Sequence, residues 1–332
     1  VTRLVRFSTP AKLFWTNENI NSKLRTQIRE WFTMLLDKTV AVVVPAYNEE
    51  KQIDRVLRTM PHFVDRIIVV NDCSTDDTAG VVLSYIKEDR AIGKVITQAH
   101  AKTEENQYDR AERLLKEKQQ DDMRHYVPSE IANTYPDTDR VILINHLKNG
   151  GVGAAIARGY KWCLDHKIDC TAVMAGDGQM DPSELEKICK PVLSEDIDYV
   201  KGNRLIHGSA RLIIPKIRFF GNSMLSILTK IASGYWHVSD TQSGYTAISL
   251  AALNAIKIHD IYREYGMPND MLVKLNIAFC TIKEVKIKPV YDIGETSKMK
   301  VHKVIPRIAW LLFKSFFKRL WLKYLFQIGR AS

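Results

Sequence analysis

The sequence predicts an α/β chain, a mostly parallel sheet flanked by helices, with amphipathic helices at both termini. Two observations carry this expectation. Five short apolar runs (Val40–Val44, Ile67–Val70, Val141–Ile144, Ala172–Met174 and Tyr199–Val200) are each followed by polar or Gly-rich residues, and most are rich in Val and Ile. Between them lie longer stretches of helical pattern: Glu49–Thr59, Thr75–Lys87, Ala154–His166 and Pro182–Leu193. Strand and helix in alternation are the mark of βαβ units and a parallel sheet.

Each region has its own reason. Residues 1–38 hold one helical pattern, with Leu24, Ile28, Trp31, Phe32, Leu35 and Leu36 at helical spacing behind Ser22 as N-cap. Basic and apolar residues alternate ahead of it, so this segment either docks on the domain or touches a membrane. Residues 39–302 form the α/β domain. Within it, residues 88–139 are highly charged and poor in large apolar side chains, which marks an insertion between two sheet strands. Residues 303–332 are expected to form amphipathic helices that lie on a membrane surface. From Lys298 to Ser332 there are nine Lys or Arg and no acid, set among Trp, Phe and Leu. That pattern suits an anionic membrane surface rather than nucleic acid.

Composition narrows the classes further. A chain of 332 residues that is 45% hydrophobic and 26% charged is neither disordered nor collagen-like. Its five cysteines form no CxxC pair and no zinc-spaced Cys/His cluster, so a reduced cytosolic compartment is expected. Neither a secretory leader nor a spanning helix is expected. The longest apolar stretch, Ile305–Ile328, is broken by Arg307, Lys314, Lys318, Arg319 and Lys323, whereas a span needs ~18 or more apolar residues.

Ligands of open parallel sheets bind beyond the carboxyl ends of the strands. Here those ends are Pro45–Glu50, Asn71–Asp76, His146–Gly153, Gly176–Asp181 and Gly202–Arg204, all rich in Asp, Asn, Gly or Arg. Asp177 and Gln179 alternate on an extended segment and can face one hard cation, the arrangement Mg²⁺ takes with one carboxylate and substrate phosphates. Asp181-Pro182 reads as a helix start. Asp72 can accept a nucleobase N–H, while Ser74 or Thr75 suits the cap of the next helix. Gly151 and Gly153 suggest a dinucleotide fingerprint, but Ile156 stands where it needs Gly or Ala. The plainer reading is a tight loop that feeds a helix near a ligand phosphate or sugar. If Pro215–Leu228 is a helix, Arg218 and Asn222 share a face and can converge with Arg204. Arginine forks suit phosphate oxygens, though a surface salt bridge competes for Arg218.

Six motifs in order, over residues 39–302 apart from the insertion, resemble the family 2 glycosyltransferases of GT-A fold. They are Pro45-Ala-Tyr-Asn-Glu-Glu50, Asn71-Asp-Cys-Ser-Thr-Asp76, Gly176-Asp-Gly-Gln-Met-Asp-Pro182, Asp240-Thr-Gln-Ser-Gly-Tyr245, Asn269-Asp270 and Ser297-Lys298. The subgroup most resembled holds dolichol-phosphate mannose synthase and bacterial polyprenyl-phosphate sugar transferases. The resemblance implies that Pro45, Tyr47, Glu49 and Asp72 hold the nucleoside of a nucleoside diphosphate sugar. Asp177 and Gln179 would ligate Mg²⁺ or Mn²⁺ on its diphosphate. Arg204, Arg218 and Asn222 would hold the phosphate of a polyprenyl or dolichyl phosphate. Asp270 would lie near the transferred sugar and Lys298 near the phosphates. Two departures stand out: Ala175 replaces a carboxylate two residues before Asp177, and Cys73 replaces a glycine.

The expected activity is metal-dependent, inverting sugar transfer at the cytoplasmic face of a membrane by a peripheral or monotopic protein. Two alternatives remain at this point. One is the same fold acting on a sugar hydroxyl, with Asp270 as general base. The other is a nucleotide-binding membrane scaffold without turnover. A homo-oligomer stays open.

Overall fold

The computed structural model describes residues 38–91, 110–210, 216–290 and 301–326. The expected N-terminal helix and Lys298 lie outside these residues. Eight strands form one sheet in the order β3-β4-β2-β1-β5-β7-β6-β8. They are β1 (Val40–Ala46), β2 (Arg66–Asn71), β3 (Ser129–Ile131), β4 (Val141–His146), β5 (Cys170–Val173), β6 (Tyr199–Asn203), β7 (Thr246–Ser249) and β8 (Ile282–Lys286). Within this sheet β3 and β7 run against their neighbours and the other strands are parallel.

All five predicted runs are strands. Alternate residues serve opposite faces, as the two-residue period requires. Ala41, Val43, Ile68, Val70, Ile142 and Ile144 face one core. Val42, Val44, Ile67, Val69, Val141 and Leu143 face the other. Burial on both faces explains why these strands read as continuous apolar runs. By contrast, β3 is three residues long, and β8 (Ile-Lys-Glu-Val-Lys) is a partly exposed edge strand. Neither carries a strand signature.

The helices are α1 (Glu50–Arg58), α2 (Thr78–Ala91), α3 (Arg110–Met123), α4 (Val152–Asp165), α5 (Leu185–Ser194), α6 (Lys216–Ser233), α7 (Leu250–Ala255), α8 (Met267–Ile277) and α9 (Val301–Leu320). The charged stretch 88–139 is partly woven into the domain. α2 runs on to Ala91, Arg90 pairs with buried Asp139 at 2.5 Å, and β3 extends the sheet beside β4. α3 is its polar, outlying part.

The C-terminal helix α9 packs against the domain. Ile308 and Leu312 of α9 share a buried cluster with Leu225 and Ala232 of α6 and Val273 of α8. One cation of α9 and one of the turn after it are also used internally rather than offered to lipid. Arg319 is buried and donates to the Ile231 carbonyl at the end of α6 (3.3 Å). Lys323 donates to the carbonyl of Asn276 near the end of α8 (3.1 Å). Both neutralise the negative ends of helices and satisfy terminal carbonyls. Sequence inspection found no acidic partners within the segment, but it had no view of these carbonyls.

Candidate active site at the carboxyl edge of the sheet

β1, β2 and β5 end close together, with Ala46 paired to Asn71 and Val43 to Val173. The turns that follow them open on one edge. Pro45 is half-buried at the end of β1, and Tyr47 follows it, 38% exposed. The first two turns are tied together. The Asn48 amide donates to Ser74 Oγ (3.0 Å), the Thr75 amide to Asn48 Oδ1 (2.8 Å), and the Glu49 amide to Thr78 Oγ1 (2.9 Å). Neither Ser74 nor Thr75 caps α2. Asp76 does so, accepting the Thr78 amide at 3.1 Å.

Asp72 is the hub of the second turn. Its carboxylate is 3% exposed and accepts the amides of Gly150 (2.8 Å) and Gly151 (2.7 Å) and the Nδ1–H of His146 (2.7 Å). Burial pushes its pKa up, but these donors outweigh burial and hold it below 3.8. Asp72 thus shapes the loop ahead of α4. His146 was missed in the sequence because its partner lies 74 residues away. Beside Asp72, Cys73 has φ 60°, a left-handed conformation that strains a residue with a side chain. Cys73→Gly is therefore expected to raise the free energy of unfolding by about 1 kcal/mol, read as a higher urea midpoint.

The Gly150–Gly153 loop is closed by protein groups rather than left open to a phosphate. The Gly151 amide goes to Asp72, and the Gly153 amide donates to the Arg263 carbonyl (2.7 Å). Both glycines are needed for this approach. A Cβ on Gly151 would stand 2.5 Å from the Arg263 carbonyl oxygen, and one on Gly153 would stand 1.9 Å from that of Tyr262. Asp270, at the start of α8, holds the same 262–263 segment. It accepts the Tyr262 amide (2.9 Å) and pairs with Lys274 (3.0 Å). With 5% exposure it is enclosed. The second motif, the glycine loop and Asp270 therefore form one hydrogen-bonded chain, which no local reading of the sequence reveals.

Asp177 lies in the turn after β5, half-exposed on the same edge. Its Oδ1 accepts the Gln179 backbone amide at 2.9 Å, so the two residues meet through the main chain. Asp181 caps the short turn Pro182–Glu184 through the Ser183 amide (2.9 Å) and pairs with Lys288 (3.3 Å), as the Asp-Pro pair suggested. Among the described residues no group of three or more His, Cys, Asp or Glu side chains could hold a metal ion. Any ion here would rest on Asp177, the Gln179 side chain and its own ligand. That donor set fits Mg²⁺ or Mn²⁺ brought in with a diphosphate, since Mg²⁺ keeps water and phosphate ligands. It does not fit a structural metal.

Arg204, at the end of β6, forks onto Asp240, with Nε to Oδ2 at 2.8 Å and an Nη to Oδ1 at 3.1 Å. Asp240 is 1% exposed; burial pushes its pKa up, yet Arg204 brings it below 3.8. Part of the Arg204 fork is thus spent inside the protein. Arg218 and Asn222 lie on the first half of α6, as expected, but their side chains are outside the described residues. α6 is joined to the site from its buried side. Ser226 meets Thr241 at 3.0 Å, and Thr229 donates to Asn269 (2.9 Å), which also accepts from Gln242 (2.7 Å).

Comparison with known proteins agrees with this architecture. The glycosyl transferase family 2 model matches residues 41–113 and 121–257. A UDP-N-acetylglucosamine–dolichyl-phosphate N-acetylglucosaminyltransferase of Methanococcus voltae is 28% identical over 87% of this chain and 98% of its own. A dolichyl-phosphate beta-glucosyltransferase of Trichomonas vaginalis is 24% identical over 87% of this chain and 77% of its own. Glucosyl-3-phosphoglycerate synthase of Mycobacterium tuberculosis, crystallised with Mn²⁺ and UDP-glucose, superimposes with a TM-score of 0.53, covering 88% of this chain and 82% of its own at 17% identity. That likeness establishes the architecture alone. With the family model across most of the sheet and its motifs gathered on one edge, the chain belongs to glycosyl transferase family 2 and is a glycosyltransferase of GT-A fold.

Proposed function

We propose that the protein transfers a sugar, with inversion, from a nucleoside diphosphate sugar to a polyprenyl or dolichyl phosphate, while lying on the cytoplasmic face of a membrane. The observation that carries this reading is the outer face of α6 and α9. α6 buries Ser226, Thr229 and Ser233 beside Leu225 and Ala232, while Met224, Ile227, Leu228 and Ile231 are exposed. On α9 and the turn after it, Trp310, Phe313, Phe317, Trp321 and Tyr324 are all exposed. Their spacing of three and four residues makes one aromatic stripe, flanked by exposed Lys314 and Lys318. Exposed apolar patches of this kind mark interaction surfaces, and aromatics with interleaved cations suit the lipid headgroup boundary. No described helix is long and apolar enough to cross a membrane. The helix that carries Arg218 and Asn222 thus presents a lipid-compatible face, which suits an acceptor whose phosphate protrudes from a bilayer. Relatives named for dolichyl phosphate support the same acceptor class.

In this reading Pro45, Tyr47 and Glu49 hold the nucleoside, and Asp72 sets the loop beside it. Asp177 and Gln179 hold Mg²⁺ or Mn²⁺, which when bound offsets charge on the departing diphosphate. Arg204, Arg218 and Asn222 hold the acceptor phosphate, and Lys298 the donor phosphates. An acceptor phosphate oxygen bonds to the anomeric carbon as the bond to the diphosphate breaks, and the nucleoside diphosphate leaves. That oxygen is already anionic near neutral pH, so catalysis rests on positioning and charge. The enclosure of Asp270 between the Tyr262 amide and Lys274 fits this better than a general base serving a sugar hydroxyl. Family membership takes the place of the scaffold alternative.

Mass spectrometry of lipid products, from a panel of UDP- and GDP-sugars with polyprenyl phosphate in anionic vesicles, tests the reading. A glycosylated lipid phosphate is expected. Transfer only to a sugar hydroxyl would refute it. Deleting the C-terminus is a poor test, since α9 is part of the fold. Replacing Trp310, Phe313, Phe317 and Trp321 together with Ser leaves the buried face intact. That variant is expected to bind anionic vesicles ~10²-fold or more weakly in co-sedimentation, at ~0.8 kcal/mol per buried CH₂-sized unit, with its melting temperature preserved.

A further inference from the structure

We propose that Lys201 is a positioning residue of the active-site edge, its buried side chain holding the Asp240–Tyr245 loop against the Gly176–Asp181 turn. Lys201 sits inside β6, paired with Thr246 of β7 on one side and Glu284 of β8 on the other. It is 0% exposed. Lysine is almost never buried completely unless something takes up its charge, and an apolar residue would fill this strand position at lower cost. The ammonium donates to the Ser243 carbonyl.

That contact completes a set of anchors. Glu284 Oε1 accepts the amides of Ser239 (2.8 Å) and Asp240 (3.0 Å), and Arg204 forks onto the Asp240 carboxylate. Lys201 holds the far side of the same loop. Between the anchors Gln242 reaches Asn269 (2.7 Å), and Thr241 meets Ser226 of α6 (3.0 Å). Just beyond, the Tyr245 hydroxyl donates to the Asp181 carbonyl (3.0 Å). The loop therefore links the turn that carries Asp177 to the helix that carries Arg218, and Lys201 sets its backbone without touching substrate.

The charged groups facing Lys201 are Asp240 from the loop, Glu284 from β8 and Arg204 from the end of its own strand. α6 and α8 meet the loop through Ser226 and Asn269, neither of which titrates. Burial pushes the Lys201 pKa down to about 8. Above that pH the charge-assisted bond to Ser243 weakens, which makes the contact measurable in the intact protein.

The inference rests on the donor-edge reading above, so its test reads the loop and the turnover separately. Hydrogen exchange of amides 241–246, corrected for intrinsic rates, is followed from pH 7 to 9.5 in the unmodified chain without substrate. A loss of protection of about tenfold is expected across pH 8. Lys201→Met is expected to show the unprotected loop at every pH, with kcat lowered about tenfold at pH 7, whereas kcat of the unmodified chain falls as the pH rises through 8 and that of the variant does not. Lys201→Arg, which keeps its charge, should retain protection at pH 9.5. Unchanged protection across the pH range, or Lys201→Met with unchanged kcat and protection, overturns the proposal. If Lys201→Met does not fold, the pH series on the unmodified chain still decides. A loop that loosens with no change in kcat overturns the role in turnover and places the fault in the donor-edge reading.

Discussion

Replacing Asp72 with Ala lowers the free energy of unfolding by about 3–5 kcal/mol at pH 7, because it leaves two half-buried amides and a buried imidazole without their acceptor. Urea unfolding is the measurement. The pH dependence has a definite sign. Asp72 has a folded pKa below 3.8, so the stability it contributes is fully present above that pH and lost as pH falls through the folded value. The gap between the unmodified chain and Asp72→Ala should stay flat from pH 7 to about 5 and close below about pH 4. A gap under 1 kcal/mol at pH 7 would mean that the Gly150–Gly151 loop holds itself. Affinity for the nucleoside diphosphate sugar should fall as well, since the loop joins this turn to the 262–263 segment above it.

Asp177→Asn is expected to lower sugar transfer ~10³–10⁴-fold with little change in melting temperature. The loss follows from several kcal/mol of charge stabilisation by the ion, at 1.36 kcal/mol per tenfold. The carboxylate is half-exposed and Asn can still accept the Gln179 amide, so the fold is spared. Calorimetry of Mn²⁺ binding in the presence of nucleoside diphosphate gives a second readout: the ion should bind with the nucleotide, weakly without it, and more weakly still in the variant. Full turnover in excess chelator would remove the ion from the mechanism. Ala175 sharpens the expectation, because no second carboxylate stands two residues before Asp177 to retain the metal.

Much of the architecture is a local matter. β1, β2, β4 and β5 are short runs dense in Val and Ile with helical patterns between them, and both faces of the sheet are buried, so their apolar content is plain. The turns at the carboxyl edge are equally plain, because the Asp, Asn and Gly residues that end each strand cluster in sequence. Asp181 before Pro182 announces its cap in two adjacent residues. The roles of individual polar residues are of another kind. Asp72 looks like a ligand for a nucleobase until His146, Gly150 and Gly151 are brought around it from more than 70 positions away. Arg204 looks like a free fork until Asp240 fills part of it.

The same division holds at the C-terminus. Composition alone marks residues 303–332 as helices dense in aromatics and cations. Whether a given cation faces lipid or a helix end depends on what packs beside it, and α6 and α8 place their carbonyl ends beneath Arg319 and Lys323. Lys201 stands just past the two-residue run Tyr199–Val200, and its partner carbonyl is 42 residues away. Backbone period and side-chain polarity are written into neighbouring residues, so five of the strands, the helices between them and the polar turns that follow them are legible there, while β3, β7 and β8 are not. A charged group's role is set by the charges and hydrogen-bonding atoms within a few ångströms, and those come from distant parts of the chain that meet when it folds.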